Sequence, residues 1–158
     1  MGHLQDCFLV RTVWMESASE RQRMVNPRKA YPVDPGLIPV FDRTGRSNTG
    51  HALETAVLLE LERRRAEVSY VKTAQGYEVD FLARHPSGQT ELIQVCADAG
   101  APDTAERELR SLMEAGRMFP RAQKRILTLT QDGLPRKVPA DVIAQPAYVW
   151  ALMPPDAA

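Results

Sequence analysis

Two cysteines, Cys7 and Cys96, are the only thiols in the 158-residue chain. They are too few for a disulfide framework, so a reducing, cytoplasmic compartment is the expectation. The three histidines, His3, His51 and His85, stand far apart, and no C-x-x-C or H-x-x-x-H spacing hints at zinc. No apolar run approaches the length of a membrane span, and the opening Met1-Gly2-His3-Leu4-Gln5-Asp6 lacks the pattern of a signal peptide. Neither sign of charge is in excess, since 20 Lys and Arg balance 20 Asp and Glu. Bulk basicity therefore gives no argument for nucleic-acid binding, and only local patches remain as candidates. What the chain does have is 44% hydrophobic and 25% charged residues. That is the balance of a folded globular protein, at a length that suits one domain.

No repeat or low-complexity tract divides it. Residues 1–46 read as an N-terminal lead-in and Pro-rich wrap, and 47–158 as the domain proper. Residues 7–14, CFLVRTVW, alternate as a strand should. Residues 26–39 carry four prolines, each lacking a backbone donor, so this stretch supports at most an edge strand. A helix is expected over 50–66. At about 100° per residue, Leu53, Val57, Leu58 and Leu61 share one arc, and Glu54 lands inside it. Strands at 67–73 and 77–83 flank a tight turn, and a third follows at 91–97. With a three-residue loop, Lys72 opposes Glu78 and Tyr70 opposes Asp80, a register that a one-residue slip would break. Alternation then groups Tyr77, Val79, Phe81 and Ala83 on one face, and Leu92, Gln94 and Cys96 on one face of the third strand. The next helix begins near Asp103, with Glu106 as a capping-box partner. A fourth strand covers 124–130, and AYVWALMPP forms a short apolar element near the end. Helix, three strands, helix, strand is the order of an α/β sandwich with a mixed sheet.

Three polar positions stand out: Glu54 on the apolar helix stripe, Asp80 in the second strand and Gln94 in the third. Oxygen ligands converging from a helix and two adjacent strands are what a hard divalent ion such as Mg²⁺ requires. The structural alternative pairs Glu54 with Lys72 or an arginine and leaves Asp80 at a solvent-facing sheet edge.

The segments NPRKAYPVDPGL, ALETAVLLELERR, KTAQGYEVDF, ELIQVC, DTAERELRSLMEA and ILTLT, spanning about Cys7 to Leu152, carry a resemblance. Together they resemble the C-terminal domain of a prokaryotic family of AAA-type P-loop ATPases, related to the PD-(D/E)XK restriction-endonuclease-like superfamily. The resemblance implies a restriction-endonuclease-like three-layer sandwich with core order α-β-β-β-α-β. It also implies a Mg²⁺ site drawn from Glu54, Asp80 and Gln94, and DNA and an AAA-type ATPase module, in cis or in trans, as partners. The (D/E)-x-K motif falls on Gln94-Val95-Cys96, which departs from the active pattern at both ends. Gln94 offers a carbonyl oxygen but no charge, and Cys96 cannot act as a lysine that orients water and stabilises a phosphorane. Lys72 is then the candidate replacement cation. The GxxxxGK[ST] loop of the ATPase module is absent from this chain, so it is expected to hold no ATP site.

Arg21, Arg23, Arg28 and Lys29 form one basic cluster, Arg63–Arg65 a second, and Arg117, Arg121, Lys124 and Arg125 a third. Each is able in principle to contact phosphates, although cations at a helix C-terminus, as at Arg63–Arg65, also suit the helix dipole. The third cluster is the one assigned to nucleic acid. Two functions follow from these residues. One is a binding module with a degenerate site, for nucleic acid or a partner protein. The other is a Mg²⁺-dependent nuclease using Glu54, Asp80, Gln94 and Lys72. The losses at 94 and 96 favour the first.

Overall fold

The computed structural model describes residues 5, 7–38 and 48–154; the expected loop at 43–50 lies mostly outside them. Seven strands form one mixed sheet in the order β2-β1-β3-β4-β5-β6-β7. They are β1 (Val10–Met15), β2 (Arg28–Pro32), β3 (Glu67–Lys72), β4 (Glu78–Arg84), β5 (Thr90–Val95), β6 (Gln123–Thr128) and β7 (Val142–Pro146). Helices are α1 (Glu20–Val25), α2 (Thr49–Arg63), α3 (Pro102–Met118) and α4 (Ala147–Leu152). The chain is therefore an α/β sandwich, and the Pro-rich stretch does supply an edge strand, β2.

The two faces of the sheet carry separate cores. On one, Leu53, Val57, Leu58 and Leu61 of α2 and Trp150 of α4 pack on Phe81, Ala83, Ile93, Val95 and Leu127. On the other, Leu112 and Ala115 of α3 meet Val79, Leu82, Leu92 and Ile126. Leu92 and Ile93 thus divide between the faces as the period of two requires. Burial of these side chains is the main driving force for the three-layer arrangement.

Alternation fails once, in β4. Val71 pairs with Val79 but Ser69 pairs with Leu82, so the single residue Tyr70 faces two, Asp80 and Phe81. This bulge corrects the expected Tyr70–Asp80 pairing and moves Val79 to the face opposite Phe81. The Lys72–Glu78 pair lies below the bulge and holds as expected. Inserted residues of this kind re-aim side chains at the edge of a ladder.

Helix α2 starts at Asn48, whose side chain accepts from the His51 N–H at 3.1 Å. It ends with the Ala66 N–H on the Leu61 carbonyl at 3.0 Å, around Arg65 at φ 59°. That is a Schellman closure built without glycine. Arg65→Gly is expected to stabilise the fold by up to about 1 kcal/mol, read as a higher urea midpoint at unchanged slope, because glycine adopts φ > 0 without a Cβ penalty. Its neighbour Arg64 is buried, donating to the Trp150 and Met153 carbonyls at 2.7 and 3.0 Å and so joining α2 to the end of α4. The expected Asp103–Glu106 capping box does not form. Helix α3 begins at Pro102 in the N1 position without a side-chain cap, and Glu106 pairs forward with Arg110.

Candidate functional site

Strand β1 meets β3 at two residue pairs only, Trp14–Ser69 and Met15–Tyr70. The β1–β2 hairpin is consequently free to curl over the α2 face. It must do so, because Lys29 on β2 touches Asp80 on β4. The two strands lie three sheet positions apart, roughly 14 Å at about 4.8 Å per strand, which exceeds the reach of a lysine side chain.

The curl assembles a polar cluster between the hairpin, α2 and the β4 bulge. Lys29 Nζ lies 2.9 Å from Asp80 Oδ1 and 2.8 Å from Glu78 Oε1, and 5.4 Å from the centre of the Tyr70 ring. The second Asp80 oxygen accepts the Val95 N–H at 3.0 Å. Tyr31, 1% exposed, donates its hydroxyl to Glu54 Oε2 at 3.0 Å and stacks on His51. Burial would depress the Lys29 ammonium, but the Asp80 and Glu78 charges more than offset it and hold it above the ordinary lysine range. Burial, and then the nearby Asp80 charge, raises Glu54 to about 7. Burial and the Glu54 charge keep the Tyr31 phenol protonated, while burial and Lys29 lower His51.

Glu54 and Asp80 are thus brought to one face, and two other expected participants are not. Gln94 points to the opposite face, where its amide donates to Glu108 of α3 at 2.7 Å; its Oε1 has no partner among the described residues. The reason is strand parity, since Gln94 shares a side with Leu92, and Leu92 packs under α3. Lys72 is exposed, and the glutamate opposite it in the ladder, Glu78, is held by Lys29 instead. Cys96 lies on the α3 side, where burial, followed by the Glu108 charge, pushes its thiol up. Its neutral form donates to the Asp98 carbonyl at 3.2 Å. Gln94→Glu sets a second buried carboxylate beside Glu108. A loss of about 1–3 kcal/mol is expected. Equilibrium unfolding at two pH values checks this, and the loss should shrink as the pH falls through the carboxylate range.

The residues do not fit a three-ligand Mg²⁺ site. An ammonium group already lies against Asp80 Oδ1, and Gln94 lies on the other face, bonded to Glu108. Two participants that pattern reading missed, Lys29 and Tyr31, come from the Pro-rich segment. Their signal was present as the alternation of Lys29 and Tyr31 in the edge strand.

The expected phosphate contacts also need correction. Arg125 is 2% exposed, its Nε and Nη2 bonded to Glu91 Oε1 at 3.0 and 2.7 Å. It therefore cannot reach a phosphate. Glu91 Oε2 also meets His85 Nε2 at 2.9 Å, so the three form a buried triad. Arg117 pairs with Glu114 and Lys124 with Asp141, which leaves Arg121 exposed without a carboxylate partner among the described residues. No helix among the described residues is long and apolar enough to cross a membrane. Comparison with known proteins finds no matching family model, no matching curated protein and no matching solved structure.

Proposed function

We propose that the chain is a restriction-endonuclease-like module of the kind found at the C-terminus of AAA-type ATPases, and that it binds nucleic acid or a partner protein without cleaving anything. The core order α-β-β-β-α-β, with a helix glutamate and a bulged-strand aspartate on one face, supports the fold reading. The observation that carries the non-catalytic reading is Asp80 itself. One oxygen is taken by Lys29 and the other by a backbone amide, while the third expected ligand faces the other way. A carboxylate so neutralised has little free energy left for a cation.

A second reading, a Mg²⁺-dependent phosphodiesterase, draws on one fact: a lysine does lie against Asp80, supplied by Lys29 in place of Lys72. Incubation of labelled single- and double-stranded DNA and RNA with Mg²⁺ or Mn²⁺ separates the two. No cleavage and no metal-dependent rise in melting temperature are expected. Metal-dependent cleavage by the wild type that disappears in Asp80→Ala would overturn the non-catalytic reading in favour of the second.

A further inference from the structure

The other end of the sheet carries a second surface. In register, Trp14 lies beside Ser69, Glu67 beside Arg84, Arg84 beside Thr90, and Glu91 beside Gln123. Glu67, Arg84 and Thr90 form a row across β3, β4 and β5; Trp14–Ser69 lies two residues along the strands on one side and Glu91–Gln123 one residue along on the other, so the ends of five adjacent strands span about 19 Å at four strand spacings. Three adjoining hollows follow the row. The first, about 210 Å³, runs from Arg23 and Ser69 to Arg84; the second continues from Arg84 to Arg121; the third leads from Arg121 to Gln89 and Gln123. Shared lining residues, Arg84 and then Arg121, make them one groove.

Among its lining cations Arg84 is paired with Glu16, whereas Arg121 has no such pair. Arg28 and Arg23 lie over the Trp14 ring at 3.4 and 5.5 Å, which positions the Arg28 guanidinium without a carboxylate, while Arg23 also lies near enough to Glu16 to help hold its carboxyl down. Neither they nor Arg121 donates a hydrogen bond to a described side chain, and all three are exposed. Of the two glutamates in the lining, Glu16 is already paired with Arg84 and accepts a hydrogen bond from the Ser69 hydroxyl, which leaves Glu67. Guanidinium donors held on an aromatic at one end and an exposed guanidinium, Arg121, at the other match a chain of phosphates bearing stackable bases, while the Gln89 and Gln123 amides at that end are bonded to each other.

We propose that this groove, together with the Trp14–Arg28 pair that adjoins its first hollow through Arg23, binds single-stranded nucleic acid, with Arg23, Arg28 and Arg121 on the phosphates and Trp14 beside a base. The inference rests on the binding-module reading above and assigns it a surface that does not include Glu54 or Asp80 and is independent of any metal. A base would stack on the Trp14 ring by displacing a guanidinium, so the indole environment changes on binding. The chain has two tryptophans, and Trp150 is fully buried, so emission changes report on Trp14.

Titration of the intact chain with a short oligothymidylate, in metal-free buffer at low salt, tests this. Tryptophan quenching is expected, with affinity falling steeply as salt rises. Arg28→Ala and Arg121→Ala should each weaken binding about tenfold and lower the log–log salt slope by about 0.7, whereas Arg117→Ala should change neither. Trp14→Leu should abolish the quench and weaken anisotropy-detected binding by about tenfold. Thermal melts confirm folding, and Arg28→Lys, which keeps the charge, should retain most of the affinity. Binding that survives the combined Arg28→Ala, Arg121→Ala variant sinks the groove but leaves the module reading intact. Absence of any oligonucleotide binding by wild type removes the nucleic-acid half of that reading as well. Equal binding of polyglutamate would overturn the proposal in favour of an acidic protein partner, and tighter binding of duplex would overturn the single-strand assignment.

Discussion

Replacing Arg125 with methionine is expected to lower the stability of the fold by about 3–5 kcal/mol, the cost of leaving a buried charge without its partner. Glu91 has no exposed surface, and Arg125 supplies two of the hydrogen bonds it accepts. His85 remains as the other side-chain partner of Glu91. Removing both charges is a different experiment. The double variant Arg125→Met, Glu91→Gln leaves no bare ion, and the amide still accepts from His85, so most of the lost stability should return. Urea unfolding of the two single variants and the double closes the cycle. Strict additivity of the single losses would show that Arg125 and Glu91 do not act as a pair. The same burial explains why Arg125 contributes nothing to a phosphate-binding surface, whatever its charge.

The second large effect concerns pH. Glu54, at about 7 in the folded chain against an ordinary 4.5, holds its proton in the native state over a range where the unfolded chain has released it. Below about 4.5 both states are protonated and the group makes no difference. As pH rises from there through 7 the native carboxyl must ionise beside Asp80, and stability falls, by a total of about 3 kcal/mol above pH 7. Glu54→Gln removes the titration while keeping an acceptor for the Tyr31 hydroxyl. The variant should therefore lose less melting temperature than wild type between pH 5 and pH 8, by roughly 10 °C for a domain of this size. Parallel profiles for the two proteins would show that Glu54 ionises normally.

Much of the architecture was legible because periodicity is a strong signal where one face is apolar. Leu53, Val57, Leu58 and Leu61 announced α2, and the paired strands around Gly76 announced the β3–β4 hairpin, whose turn places that residue at φ 87°. Glu54 and Asp80 were legible as chemistry for the same reason, as polar residues set against an apolar pattern. The bulge was not legible, because an inserted residue leaves no mark on composition and only the pairing of Val71 with Val79 and Ser69 with Leu82 shows it. Lys29 and Tyr31 were hidden by distance: 51 positions separate Lys29 from Asp80, and nothing local says that an edge hairpin turns back over the sheet. The parity of Gln94 was readable, but the face on which α2 and α3 would each settle was not. Arg125 misled because a basic residue at the start of a strand reads the same whether it faces water or a buried glutamate.

The narrow seam between β1 and β3 has a consequence for how the molecule comes apart. Besides two residue pairs, the first hairpin is held to the meander by Lys29–Asp80 and by Glu16 on Ser69 and Arg84, and to the α2 core by Val13 and Tyr31. The core under α3 involves neither β1 nor β2. The hairpin is thus the natural unit of partial unfolding, released at a free energy below that of the whole fold. In that open form the two carboxylates at 54 and 80 shed their resident ammonium and phenol and become fully exposed to bulk water.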